Sequence, residues 1–352
     1  ISSCGDSGTP NNPGKSAAVV KKTFDWKLVT TWPKNFPGLG TGAQRLVDSI
    51  KRMSDGRLNI KLFAAGELVP PFESFDAVRE NKAQMFHASP YYWINKNKSM
   101  PFFGAVPGGM IAQEHNAWIN YGGGQELWDK LYSEFGLKSF MAGNSGTQMG
   151  GWFLKKINSE NDFKGLKMRI PGLAAEVLNR MGGTAVALPG GEIMPALQSG
   201  AIDATEWVGP WNDLAFGFHK VAKFYYGPGF HEPSSALECL VNLQAYNELP
   251  SDLQLIVKQA CQAENVGMVS EFTARNSASQ TVLVEKHGVE IRHFPADIVR
   301  TAFSISQEVV SETQNFDALT KKIYEKWDHF RTESIQRGPY AEQGYMNNRL
   351  LK

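Results

Sequence analysis

"DWKLVTTWPKNFPGLGTGAQRLVDSIKRMSDGRLNIKLF" (residues 25–63) runs through a strand, a helix and a second strand. "DWKLVTTWP" (25–33) predicts an opening strand that proline stops. "TGAQRLVDSIKRMSDG" (41–56) then places Ala43, Leu46, Val47, Ile50 and Met53 at helical spacing on one face. After the Asp55–Gly56 turn, Leu58, Ile60 and Leu62 alternate as in a half-buried strand. A further helix is expected over about 72–80, ahead of "AQMFHASPYYW". This order predicts an α/β layer with a mainly parallel sheet.

A second run of units starts near residue 137. "LKSFMAG", "GGWFLKK" and "GLKMRIPG" read as strands, and "LAAEVLNRMGG" (173–183) as a helix ending on paired glycines. "TAVALPGGEIMPALQSGAIDATEW" (184–207) repeats strand, helix and strand. A strand at about 236–244 precedes a helix for which Ser251, after Pro250, is the expected N-cap. "VEIRHFP" (289–295) is a late strand, followed by helices to about 333. At 352 residues the chain exceeds what one core usually supports, so two domains are expected.

The 36 basic and 35 acidic residues are well mixed and leave a net charge of +1, which gives nucleic acid no basic field to meet. No stretch has the apolar length of a membrane span. "ISSCGDSGTPNNPGKSAAVVKK" (1–22) reads as a disordered leader. Its "ISSC" has the form of a lipoprotein-signal tail, which would make Cys4 a lipidated N-terminus; an accidental cysteine is the alternative. Cys239 and Cys261 lie in apolar surroundings, and both a bridge and two buried thiols stay open.

The dinucleotide, P-loop, H-E-x-x-H and C-x-x-C patterns are absent. The seven histidines, His87, His115, His219, His231 and His293 among them, are scattered and read as ordinary surface or supporting residues. Polar groups beside glycines and aromatics say more. Gln148 precedes a strand, Arg169 ends one, Glu206 and Trp207 end another, and Glu232 leads into a fourth. In open α/β sheets such connections line the ligand crevice. One arginine can grip a carboxylate with two parallel bonds, and two carboxylates with an amide oxygen can cage a hard cation. The competing reading pairs Arg169 with Glu206 or Glu232 as a structural ion pair. Tyr91 and Tyr92 could cover a ligand or simply pack.

"DFKGLKMRIPG" (162–172) and "ALPGGEIMPALQSGAIDATEW" (187–207) resemble the DctP family, extracytoplasmic solute receptors of tripartite ATP-independent periplasmic (TRAP) transporters. "GTQMGGWF" (146–153), Glu206–Trp207 and "GFHEPSS" (229–235) are similar to its branch for α-keto acids bound with a metal ion; the similarity runs from about 25 to 340. The resemblance implies a two-domain α/β periplasmic binding fold of Venus-flytrap type, with crossing hinge strands and a long C-terminal helical region. It implies domain I over 25–145 and about 234–275, domain II over about 146–233 and 276–312, and a C-terminal extension over about 313–352. Arg169 would clamp the substrate carboxylate and Tyr92 would donate to it. Gln148, Glu206, Glu232 and the Trp207 carbonyl would hold calcium or sodium. Thr147 stands where the family often has asparagine.

The function so implied is a non-catalytic periplasmic receptor that takes a small 2-oxo monocarboxylate, pyruvate first, to the membrane subunits of a TRAP permease. It needs no organic cofactor. A lactate or other 2-hydroxy-acid receptor is the alternative within the class. A metal-dependent 2-oxo-acid aldolase or decarboxylase is the chemical rival. Trp207, Phe230 and the two tyrosines supply bulky walls, which with no second arginine argues against dicarboxylates. Phe316, Leu319, Ile323, Trp327 and Phe330 recur at helical spacing, and either finish the chain's own core or cover a second copy in a homodimer.

Overall fold

A computed structural model describes residues 22–351. The expectations for Cys4 and for most of the leader lie outside these residues. The described chain forms strands β1 (Phe24–Thr30), β2 (Leu58–Phe63), β3 (Met85–Ala88), β4 (Leu137–Asn144), β5 (Gly151–Phe153), β6 (Lys167–Arg169), β7 (Thr184–Val186), β8 (Ala204–Thr205), β9 (Phe224–Tyr226), β10 (Ala236–Asn242) and β11 (Glu290–Arg292). They build two sheets, β2-β1-β3-β10-β4 and β11-β9-β5-β8-β6-β7.

Both sheets are mainly parallel, as expected, and each is made mixed by one reversed strand. In the first, β10 runs antiparallel to β3 and β4; in the second, β5 runs antiparallel to β8 and β9. The reason is the crossover. The chain passes from β4 of one sheet directly into β5 of the other, and returns from β9 into β10. The two sheets turn the carboxyl ends of their other strands toward each other, so a strand crossing without reversal must enter its new sheet against the grain.

In the first sheet β3, β4 and β10 are buried almost throughout on both faces, so their sequences are largely apolar, while β2 is only partly buried and keeps the alternation of Leu58, Ile60 and Leu62. Leu28, Met85, Phe140, Cys239 and Val241 share one core, while Val29, Phe86, Met141 and Leu240 share the opposite one. Neighbours in sequence thus go to opposite faces. Cys239 and Cys261 are both buried and free, so the two-thiol reading holds.

The helix Ser251–His287 packs on β4 and on the helices Leu39–Met53 and Pro210–Phe216, so it links the two sheets. Pro250, not Ser251, occupies its N-cap, and Ser251 is its first helical residue. At the C-terminal end, helices Ala296–Glu312, Ala318–Arg337 and Glu342–Asn348 form the long extension. Ile323 and Trp327 are buried in the chain's own core, with Leu319 and Phe330 packed against it; Phe316 is exposed. Four of the five stripe residues therefore finish this chain's core. Among the described residues no helix is long and apolar enough to cross a membrane.

Candidate functional site

The strand ends and crossovers meet in one place. Arg169 is the last residue of β6 and sits opposite Thr205 of β8, so Glu206 emerges beside it, its N–H donating to the Arg169 carbonyl (3.2 Å). The turn after Arg169 needs its glycine. Gly172 has φ +68°, and a Cβ there would lie 3.1 Å from Tyr91, so this turn lies against the segment carrying Tyr91 and Tyr92. Gln148 lies on the β4–β5 crossover. Backbone bonds from Gln148, Met149 and Gly150 to the carbonyls of Glu232 (3.0 Å), Val208 (3.0 Å) and Tyr226 (2.7 Å) tie it to the second sheet.

Arg169, Glu206, Glu232, His231 and Gln148 are all buried. Arg169 Nη1 is ion-paired with Glu206 Oε1, its Nε donates to the Leu188 carbonyl (3.1 Å), and the guanidinium lies 5.1 Å from the Trp207 ring centre. Burial works against the Arg169 charge, but Glu206 and the two tyrosines outweigh it and hold the group above its ordinary value. The structural pairing weighed in the sequence is thus real. It is also incomplete.

Among the described residues Arg169 Nη2, Glu206 Oε2, Glu232 Oε2, Gln148 Oε1 and both ring nitrogens of His231 have no hydrogen-bond partner. Leaving one buried polar group unpaired costs about 1–3 kcal/mol, and more when it is charged. Six such atoms together describe a place for something polar. Burial first, and the Glu206 charge second, push the Glu232 carboxyl well above its usual range. A cation there would restore its charged form.

Tyr91 and Tyr92 have ring centres 4.9 Å apart and, with Trp32, Gln148, Trp207 and Leu237, line a narrow cavity. Burial pushes the Tyr92 hydroxyl up to about 12, so it stays a donor, beside the Arg169 guanidinium. The Trp207 carbonyl accepts no hydrogen bond from the described residues. Phe230 is half-buried and packs on the core behind His231. Thr147 is placed elsewhere: it is exposed, and its hydroxyl donates to the Pro233 carbonyl (2.9 Å).

Two features were missed in the sequence. His231 is not an ordinary surface histidine; Glu206, His231 and Glu232 each offer a ligand atom, all within 4.8 Å of one another. The signal that selected Glu232, a polar residue in a Gly/Pro-rich connection entering a strand, applies equally one position earlier. Trp32 is the second. Its Nε1 donates to His87 Nδ1 (2.8 Å), while His87 Nε2 meets the Ala142 carbonyl (2.9 Å), which fixes the Trp32 ring at the cavity wall.

The chain is 42% identical over 322 residues to the monocarboxylate 2-oxoacid-binding periplasmic protein of Nostoc sp., covering 92% of this chain and 88% of that one. A solved TRAP periplasmic solute-binding protein of Colwellia psychrerythraea, with bound calcium and pyruvate, is 40% identical with a TM-score of 0.90 and covers 93% of this chain and all of that one (100%). That of Pseudoalteromonas atlantica T6c, with bound sodium and pyruvate, is 39% identical with a TM-score of 0.89, over 93% of this chain and 99% of that one. Residues 28–316 match the model of the DctP family, and the chain belongs to it: a bacterial extracellular solute-binding protein of family 7.

Proposed function

We propose that the chain is a periplasmic receptor that binds a 2-oxo monocarboxylate, pyruvate first, together with Ca²⁺ or Na⁺, and delivers it to the membrane subunits of a TRAP transporter. The observation that carries this reading is the set of orphaned buried atoms: three acceptor oxygens on Glu206, Glu232 and Gln148 beside the free Nη2 of Arg169. Three such oxygens suit a hard cation, and the Trp207 carbonyl offers a fourth. The solute carboxylate meets Arg169 Nη2 and the Tyr92 hydroxyl. Its 2-oxo oxygen and one carboxylate oxygen complete the shell of the ion. Related pyruvate-bound proteins from two organisms, one with sodium and one with calcium, support the same pairing of ion and solute.

Without the ion, Glu206 and Glu232 would meet an incoming carboxylate with like charge; with it, the same residues attach the acid to the cavity. The family is one of solute-binding proteins for transport, so the enzyme alternative is set aside. Residues 25–145 with 234–275 would close on 146–233 with 276–312, because ion and solute touch groups from both sides of the crossovers. Exposed Ile335, Tyr345 and Met346 on the last helices, with Leu350 and Leu351 just past them, are the apolar surface for a homodimer. Sedimentation at micromolar concentration reads it, and a monomer at every concentration rejects it.

Calorimetric titration of metal-stripped protein tests the main reading. Pyruvate should bind only after Ca²⁺ or Na⁺ is restored, and saturating pyruvate should tighten ion binding by the same factor. Ion-independent binding, or succinate binding more tightly than every monocarboxylate, overturns it.

A further inference from the structure

We propose that Arg331, on the C-terminal helix Ala318–Arg337, is a positioning residue for the ion and solute site, acting through Gly108 and the Phe230 carbonyl. The inference rests on the receptor reading above and gives part of that site's geometry to an element outside the cavity.

His231 and Glu232 lie on the segment that returns from β9 to β10, and one turn anchors that segment on both sides of them. The Gly108 N–H donates to the Phe230 carbonyl (2.9 Å), immediately before His231. The Ser234 hydroxyl donates to the Met110 carbonyl (3.1 Å), beyond Glu232. The turn is held in its own place from behind, where Arg331 Nε donates to the Gly108 carbonyl (2.7 Å). One residue is thus bonded on one side to the C-terminal helix and on the other to the site. Gly108 has φ +64°, and a Cβ there would lie 3.3 Å from Phe303, so the close approach of helix and turn depends on glycine.

Packing does not hold this turn by itself. A cavity of about 480 Å³ opens beside Gly108, lined by Phe303, Tyr324, Trp327 and Arg331 among others. A turn bordered by open space keeps its place chiefly through its hydrogen bonds. Arg331 is suited to that task. Its side chain is only 16% exposed, and its guanidinium lies 5.7 Å from the Trp327 ring centre, which orients it. A bond from a charged donor is also about twice as strong as a neutral one. The neighbouring Asp328, 3.7 Å away and half-exposed, adds little. A binding constellation has to be held within about 0.5 Å of its productive geometry. Slack at Gly108 passes to Phe230, and so to the donors of His231 and Glu232.

The test compares full-length variants by calorimetry with Ca²⁺, and with pyruvate in saturating Ca²⁺. Arg331→Met keeps the stem without the donor and should weaken both about fivefold, the size of a transmitted effect. Arg331→Gln, whose side-chain nitrogen stands as many bonds from Cα as Nε does, should recover most of that loss. Arg331→Lys carries its donor one bond further out; it should lose affinity in the same direction, and it serves where the methionine variant does not fold. Ile323→Val loosens the same helix in the core without touching Gly108. It should lower the melting temperature and leave both affinities within about twofold. Hydrogen exchange adds a local readout: in Arg331→Met, peptides spanning 104–110 and 227–235 should exchange faster while the sheet cores keep their protection. Unchanged affinity in Arg331→Met, an equal loss in Ile323→Val, or unchanged exchange over 227–235 overturns the proposal. If the unaltered protein binds neither Ca²⁺ nor pyruvate, the receptor reading fails, and exchange over 227–235 still decides the role of Arg331.

Discussion

Asp213 and the pair Glu206–Glu232 are buried carboxylates in the same half of the molecule, and they are treated in opposite ways. Asp213 Oδ1 accepts the N–H groups of Val208 (3.3 Å) and Gly209 (3.2 Å); its Oδ2 accepts Trp152 Nε1 (2.9 Å) and the Tyr225 hydroxyl (2.6 Å). Burial pushes this group up to about 7, and the Tyr225, Trp152 and Val208 donors pull it back. Every lone pair there has an answer within the chain. Glu206 and Glu232 each keep an unpartnered oxygen. A fold can bury charge cheaply only where it supplies the donors. Where it withholds them beside an arginine, a ligand has to supply them. Asp213 thus holds the loop that follows Trp207, while each of the two glutamates keeps one oxygen without a donor.

The largest expected effect breaks the second half of this contrast. Arg169→Lys keeps the charge but loses the planar two-donor fork, and should cost solute binding about 2–5 kcal/mol with the fold retained. Calorimetry with pyruvate, and a circular dichroism melt to verify folding, read it. Affinity close to that of the unaltered protein would mean that the guanidinium serves Glu206 alone.

Glu238 sharpens the comparison, because it is a fourth buried carboxylate that belongs to neither class. It faces the apolar core from β10, accepts Trp93 Nε1 (2.6 Å) and lies beside Tyr132, with no cation to pair it. Burial pushes its carboxyl from 4.5 up to about 8. The folded state therefore prefers the protonated form. The stability this contributes is fully present below pH 4.5, declines as pH rises toward about 8, and is gone above that. Glu238→Gln should match the unaltered protein at about pH 4 and exceed it by a few kcal/mol at pH 9, by denaturant unfolding. A difference that stays constant with pH would show that Glu238 remains charged in the core.

Asp213→Asn addresses the satisfied group. An amide replaces one acceptor oxygen with a donor that faces donors, so stability should fall by about 1–3 kcal/mol. Solute affinity should fall less, since the loop it holds carries only the Trp207 carbonyl. Urea unfolding and calorimetry on the same sample separate the two. A larger loss in binding than in stability would place Asp213 among the ligand's own contacts.

The same division decides what was legible beforehand. Arg169, Glu206, Gln148 and Glu232 could be found because each stands in a Gly- or Pro-rich connection next to a strand, where charge is out of place without a partner. The strand–helix alternation could be read because the apolar positions switch between alternation and helical spacing from one element to the next. The one reversed strand of each sheet could not. Nothing in "GGWFLKK" or "SALECLVNL" states that the chain has just crossed from the other sheet, and that crossing alone reverses β5 and β10. His231 was lost for a related reason. Its neighbour in space is Glu206, twenty-five positions earlier, and a single histidine carries no spacing signal. The aromatic stripe of 316–330 was ambiguous because helical spacing marks an apolar face without naming what covers it; Phe102, 5.2 Å from Trp327, turned out to do so.

The smallest expected effect concerns Thr147, which separates sequence position from spatial placement. It sits between Gly146 and Gln148 on the crossover and stands where the family often carries asparagine, so by position it belongs with the solute contacts. In space its side chain is exposed and its hydroxyl is already engaged by the Pro233 carbonyl at 2.9 Å. That bond joins the Gln148 segment to the Glu232 segment from outside the cavity, so its loss should register in the stiffness of the crossover and not in recognition. Thr147→Ala is therefore expected to lower stability by about 0.5–1.5 kcal/mol, the net worth of one hydrogen bond, and to leave pyruvate affinity within about twofold. Thermal melts and calorimetry on the folded variant read the two quantities independently. A tenfold loss of affinity at unchanged stability would move Thr147 back among the groups that touch the solute, and would require the crossover to turn its side chain inward when the acid binds.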